Sequence, residues 1–384
     1  MTAMKETLIR QFKEHYGYAP SIVVRAPGRL EILGNHTDYN LGTVLSCAVD
    51  RYAYMAMAPV SSRFCRVWDS SFNDERSFDI DDLANHRAKD WANYIKGMIV
   101  EFNRRGVDVP AFDAVMWGNV PLSAGMSSSA ALEMSTGLAL CGISGASFDW
   151  LELAKIGQAC ENSYVGANTG LMDQFSSLRG CADSLVYSDF RELGTRQVRM
   201  PSGYSFVVVN SMVKHQLTNE YNERRASCEE AVRVLKQHDA SINSLRDVTL
   251  PELLKWRDSL APFSFDCAGH VLGENIRVAL GLHALEEGDM PGFGQLMFQS
   301  HDSSRNLFKN SSPELDTLVD LARGHKECLG ARLSGGGFGG ITVHLVRTEE
   351  AQAYADTIAA EYAKATGVTP QAFVCRTADG ASSL

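Results

Sequence analysis

Apolar and polar positions alternate in short runs over residues 21–24, 43–49 and 52–58, and turn residues separate them, which predicts β-strands. The spacing changes at residues 127–141, where Ala130, Leu132, Met134 and Leu138 fall at helical intervals and no glycine or proline intervenes before Gly137. Ser127, Ser128 and Ser129 stand at its start as N-cap candidates. Further helices are predicted over 150–160, 224–238, 276–286 and 349–364, and strands over 204–210 (YSFVVVN) and 341–346. Strands and helices mix without a regular βαβ rhythm, so the fold class expected is α+β.

A chain of 384 residues exceeds the usual size of one hydrophobic core, so two domains are expected. The pattern breaks at residues 191–203 (RELGTRQVRMPSG), which divides the chain into 1–195 and 196–384. Nothing in it has about 18 consecutive apolar residues, and residues 1–17 are charged and lack the apolar stretch of a signal peptide. A cytoplasmic protein without membrane partners follows. A net charge of −10 and the lack of a long basic cluster argue against nucleic acid. No surface pattern compels a dimer, so a monomer is the expectation. Nine cysteines without CxxC spacing read as small buried apolar residues rather than a disulfide framework. Two N-x-[ST] sequons, at Asn35 and Asn310, are expected to carry no glycan.

Three segments carry candidate chemistry. Residues 25–42 (RAPGRLEILGNHTDYNLG) read as a loop presenting Arg, His and Asp, although Leu30, Ile32 and Leu33 are unusual in a solvated turn. Residues 120–132 (VPLSAGMSSSAAL) bring small residues to a helix start. There, backbone N–H groups and the helix dipole suit an anion; a plain serine cap after a proline turn explains the same residues equally well. Residues 330–340 (GARLSGGGFGG) hold five glycines within 335–340, more than a turn needs, and let a backbone pass close to a ligand. The formal G-x-G-x-x-G in that stretch precedes a strand, not a helix, so it does not bind a dinucleotide. No Walker A sequence and no protein-kinase motif set occur.

Together the three segments resemble the GHMP kinase superfamily and, within it, the galactokinases. Residues 25–42 are similar to the signature GRxNLIGEHTDYNxG, residues 120–132 to the phosphate loop PxGxGLSSSA, and residues 330–340 to GARMTGGGFGG. WANY at 91–94, GLMDQF at 170–175, NEYNERRASCEE at 219–230 and SHDSSRNLF with SPELD near 300–316 extend the match from about residue 20 to 350. The resemblance implies a two-domain GHMP kinase fold with an active site between the domains. It implies ATP and Mg²⁺ as cosubstrates, and phosphorylation of the anomeric hydroxyl of a hexose, most simply galactose. By position, it implies Asp173 as the group that accepts the hydroxyl proton and Arg29 as the guanidinium that stabilises the transferring phosphoryl group. Asp173 could equally act as an electrostatic anchor, because phosphoryl transfer depends mostly on positioning and charge neutralisation. Asn35, His36, Asp38, Gly170 and Tyr221 are implied as sugar contacts. Trp91, Tyr94, Gly125, Ser127, Ser128, Ser129, Gly336 and Gly337 are implied as nucleotide contacts, and Ser129 with Glu161 as Mg²⁺ ligands.

The match departs from the pattern at three places. Asn35 stands where the signature has the Glu expected to bond the C6 hydroxyl. A hydrogen bond to a charged group is worth roughly 1.5–3 kcal/mol and a neutral one about 1, so galactose affinity could fall roughly tenfold. That loss opens the alternative of a C6- or C2-modified substrate such as galacturonate or N-acetylgalactosamine. Glu31 replaces the usual Asn, which returns a negative charge to the neighbourhood. Ser123 and Ala124 stand where the phosphate loop often has glycine, and a left-handed backbone there would strain them. A non-catalytic sugar sensor is the third reading; it would be expected to have lost part of the set Arg29, Asp173, Glu161 and Ser127–Ser129.

Overall fold

The computed structural model describes residues 2–84, 90–122, 124–167, 169–214 and 218–384. Helix α1 (Thr2–Tyr16) precedes a long antiparallel pair, β1 (Ile22–Leu33) and β2 (Thr43–Pro59). β3 (Phe64–Asp69), β4 (Asp74–Asp79), α2 (Ala92–Arg104), β5 (Phe112–Gly118), α3 (Ser128–Ser144), α4 (Trp150–Ala159) and α5 (Met172–Arg179) follow, and then the hairpin β6 (Ser184–Asp189) and β7 (Gly194–Arg199). The second half holds β8 (Tyr204–Lys214), α6 (Thr218–Leu235), α7 (Leu250–Lys255), α8 (Pro262–Glu287), α9 (Met290–Ser303) and α10 (Pro313–Arg323). It continues through β9 (Cys328–Ser334), β10 (Gly339–Arg347), α11 (Ala351–Thr366) and β11 (Gln371–Cys375) to β12 (Ser382–Ser383).

Two sheets organise the chain, giving the expected α+β layers. The first runs β12-β1-β2-β5-β3-β4, with β6 and β7 attached through β2; the second is β11-β8-β10-β9. The strand β7 (Gly194–Arg199) belongs to the first sheet, and β8 of the second begins at Tyr204. The chain also returns: β12 pairs with β1, and Val49 bridges Thr377.

The expectation of a loop over residues 25–42 holds only for its second half. Residues 25–33 are β1, whose Leu30, Ile32 and Leu33 are fully buried. Irregular register with β2 on either side of the Arg29–Glu31 stretch redirects those side chains. One core joins the sheets: Leu30, Ile32 and Leu45 from the first half pack with Phe206, Val208 and Val343 of the second and with Phe293 and Met297 of α9. Seven of the nine cysteines are buried and all nine are free thiols. Among the described residues, no helix is long and apolar enough to cross a membrane.

Candidate active site

A cavity of about 130 Å³ is lined from both halves of the chain, by Arg29, Glu31, Asn35, His36, Asp38, Gly170 and Asp173 on one side and Tyr221, Gly335 and Gly336 on the other. At one end Asp173, on the first turn of α5, meets Arg29 of β1. The guanidinium donates through Nε to Asp173 Oδ1 at 2.7 Å, with Nη2 also 2.7 Å from that oxygen. Its Nη1 donates to the carbonyl of Gly125, which fixes the loop before α3 against β1. Ser127 donates its hydroxyl to Asp173 Oδ2. Ser127 occupies the N-cap of α3 at φ +53° and makes no side-chain cap. The predicted cap thus gives up its local bond to reach the aspartate, in a left-handed backbone that costs a non-glycine residue. Ser123 lies outside the described residues.

Gly170 approaches Asp38 so closely that a Cβ there would stand 1.6 Å from Asp38 Oδ2. Burial pushes the Asp38 carboxyl up from 3.8 to about 7; Glu31 and Asp173 add to the rise, while the Tyr39 backbone N–H and Arg225 oppose it. Burial pushes His36 down to about 3, so its ring is neutral. Its Nε2 lies 3.2 Å from the Gly336 carbonyl, which can only accept, so the proton is on Nε2, and Nδ1 accepts from Tyr39. Both ring nitrogens are therefore engaged, and His36 forms wall rather than donor, against Tyr221 and Phe308.

Asn35 borders the cavity but is 1% exposed. Its Nδ2 donates to Glu31 Oε1 and to the Gly335 carbonyl, both at 2.9 Å. Its Oδ1 accepts from Asn310 at 2.9 Å and from Ser304 at 3.4 Å. Rotating the amide by half a turn would set its oxygen against two acceptors, so this orientation is the consistent one. Glu31 is 2% exposed, and its Oε1 also receives Arg332 Nη1 at 3.1 Å, from a fully buried guanidinium. Glu274 of α8 receives the backbone N–H groups of Gly34 and Asn35 and the Ser300 hydroxyl, and pairs with Arg277. Burial alone would raise Glu274; Arg277, His270 and Arg332 overcome it and hold the carboxyl down at about 2. The match at SHDSSRNLF carried no role in the sequence, yet this segment supplies Ser300 and Ser304, and Asn310 just beyond it links Asn35 to Gly336.

A larger cavity of about 900 Å³ is lined by Trp91, Tyr94, Ser128, Ser129, Trp117, Phe72 and Leu122, among others. Trp91 and Tyr94 are thus brought together there, and Trp91 Nε1 donates to Asp74. Trp117, Phe72 and Leu122 carry no motif, and only the fold reveals them. The sequence expectation groups Gly336 and Gly337 with this cavity, but the structure does not: Gly336 lines the smaller one, and a Cβ on Gly337 would meet the Asn310 carbonyl at 2.1 Å. Glu161 lies in a π-helical turn, Cys160–Val165, at the end of α4. It accepts from Thr169, Gln174 and Ser129, and burial raises its carboxyl, with Asp173 adding to the rise. Glu133, also buried, shares the Gln174 amide. Two buried carboxylates with hydroxyl and amide partners are oxygen donors of the kind a hard divalent cation takes, and Ser129 with Glu161 could hold one.

Comparison with known proteins agrees with this geometry. Residues 10–59 match the family description "Galactokinase galactose-binding signature", 93–181 the GHMP kinase N-terminal domain and 282–364 the GHMP kinase C-terminal region. A galactokinase of Chloroflexus aggregans is 40% identical over 379 residues, covering 98% of this chain and 97% of the relative. One from Roseiflexus sp. is 39% identical over 375 residues, covering 97% and 95%. The crystal structure of Lactococcus lactis galactokinase complexed with galactose superposes with a TM-score of 0.94 at 29% identity, over 99% of this chain and 100% of that one. A mevalonate kinase structure, at TM-score 0.66 and 16% identity over 93% of this chain and 99% of that one, shares the fold. With near-complete coverage at about 40% identity and matches to all three domain descriptions, the chain belongs to the galactokinase family of GHMP kinases.

Proposed function

We propose that the chain transfers the γ-phosphoryl group of ATP to the anomeric hydroxyl of galactose, in the smaller cavity. The observation that carries this reading is the position of Asp173. Its carboxylate lines the smaller cavity and is bonded to Ser127, whose neighbour Ser128 lines the larger one. A hydroxyl beside Asp173 therefore lies one residue's width from phosphates seated at the start of α3. Asp173 accepts the hydroxyl proton, and Arg29 stabilises charge on the moving phosphoryl group. The α3 N-terminus and the loop at Gly125 hold the phosphates, while Trp91 and Tyr94 pack on the base. Mg²⁺, held by Ser129 and Glu161, would neutralise phosphate charge. Asp38 and Tyr221 supply polar groups to the remaining sugar hydroxyls.

The catalytic set is intact, which disfavours a sensor. Galacturonate is disfavoured as well, because Glu31, Asp38 and Asp173 put three carboxyl groups around the cavity. The deciding experiment is ADP release with MgATP against galactose, galacturonate, N-acetylgalactosamine, glucose and arabinose. Galactose should be turned over fastest; turnover confined to another sugar, or to none, would overturn the reading.

A further inference from the structure

The amide of Asn35 has two hydrogens and two strong acceptor directions, and protein groups take all four: Glu31, Gly335, Asn310 and Ser304. It has nothing left to offer a sugar. Glu31 is placed differently. Its Oε1 is pinned by Asn35 and Arg332, and the residue lines the sugar cavity. Its Oε2 has no hydrogen-bond partner among the described residues. Nor is that oxygen sealed off from solvent, as Arg332 Nε and Nη2 are. A carboxylate oriented by two donors on one oxygen, with the other facing a cavity, is an acceptor prepared for one hydroxyl group. Arg332 has no other hydrogen-bond partner among the described residues for its buried charge, so Glu31 is the side chain that holds it in place. The signature that this segment resembles carries the same two residues in reverse order, Asn at the place of Glu31 and Glu at that of Asn35. An exchange of that kind is what a directly bonded pair permits.

We infer that Glu31 is a specificity-determining residue that accepts a hydrogen bond from one non-anomeric hydroxyl of galactose, with Asn35 and Arg332 as the residues that position it. The inference rests on the galactose-kinase reading above and names how that site recognises its sugar. Because a carboxylate only accepts, the subsite takes a hydroxyl and rejects an analogue bearing hydrogen or a carboxylate at that carbon.

The test is steady-state kinetics of the wild type, Glu31→Gln and Glu31→Asp with galactose and its 2-, 3-, 4- and 6-deoxy analogues. Glu31→Gln strands Arg332 beside a neutral partner and risks poor folding. Glu31→Asp keeps the charge against Arg332 and withdraws the free oxygen by one methylene. For galactose, both variants should raise KM, about 10- to 100-fold for the Gln variant, with kcat changed by no more than a few-fold. For one deoxy sugar, kcat/KM should be the same in wild type and variants, because the bond is already missing. An equal loss against every sugar would reduce Glu31 to a structural residue, and an unchanged galactose KM would remove it from the subsite; either overturns the inference. Wild-type failure to turn over galactose would instead count against the activity itself.

Discussion

Asp38 carries a carboxyl held at about 7 in the fold against 3.8 for an ordinary aspartate, mainly by burial. A raised value means that the folded chain favours the protonated form. The associated stability is whole below about 3.8 and is lost as pH rises through about 7. The free protein should therefore lose stability between these values, and Asp38→Asn should lose less. Thermal unfolding of both from pH 4 to 8 measures the difference, and parallel curves would remove Asp38 as its source. Asp173 makes a different prediction. Asp173→Ala should lower kcat by about 10²- to 10⁴-fold while changing the ATP dissociation constant little, since the aspartate reaches the nucleotide site through Ser127 and Arg29 and does not line that cavity. Retained turnover would show that proton transfer to this carboxylate is dispensable. Residues such as Asp173, Arg29 and Asp38 were legible because short motifs carry them. The role of Glu31 was not, because its meaning lies in Arg332, 301 residues away in sequence, and no local pattern records that contact.

The longer helices and the strands at 204–210 and 341–346 were visible in the sequence as apolar runs, and both strands are buried on their two faces, Phe206, Val208 and Val343 in one core and Val207, Val209 and Val346 in another. The course of residues 25–33 was misread because Arg, Pro, Gly and Glu resemble a loop, whereas burial on both sides makes them a strand. The backbone form of two site elements had no sequence signal. Helices α4 and α9 both end in π-helical turns, Cys160–Val165 and Ser304–Phe308, which carry Glu161 and Ser304 into the sites. The link from α8 to residues 34–35 likewise runs through side chains: Glu274 receives both backbone N–H groups, and His270 Nε2 donates to the Asn35 carbonyl. Glu274→Gln should cost about 3 kcal/mol of stability, measured by denaturant unfolding, and should raise KM for galactose more than for ATP. Its carboxyl is depressed from 4.5 to about 2, so its contribution is present above pH 4.5 and is lost as pH falls through about 2.

Across the whole molecule, the two sheets were foreseeable as two domains, but the path between them was not. Residues 194–199 look like a linker because they are polar, and yet they pair as the edge strand β7. The return of β12 to β1 rests on two residue pairs, and a signal that small is hidden in a sequence. It is anchored further by the Leu384 N–H on Val23 and by Lys5 on the Leu384 carbonyl. Deleting residues 382–384 should lower unfolding stability by about 2 kcal/mol and leave the galactose KM unchanged; chemical denaturation with parallel kinetics checks both. The core that joins the sheets has a consequence for how the sugar enters. β1, which carries Arg29 and Glu31, and the β9–β10 turn, which carries Gly335 and Gly336, are fastened to the same buried mass. A hinge motion that swung the halves apart would pull that mass open, at a cost far above the few kcal/mol that ordinary gating spends. The cavity is thus a fixed frame, and any opening for the sugar has to come from side chains and turns outside the shared core.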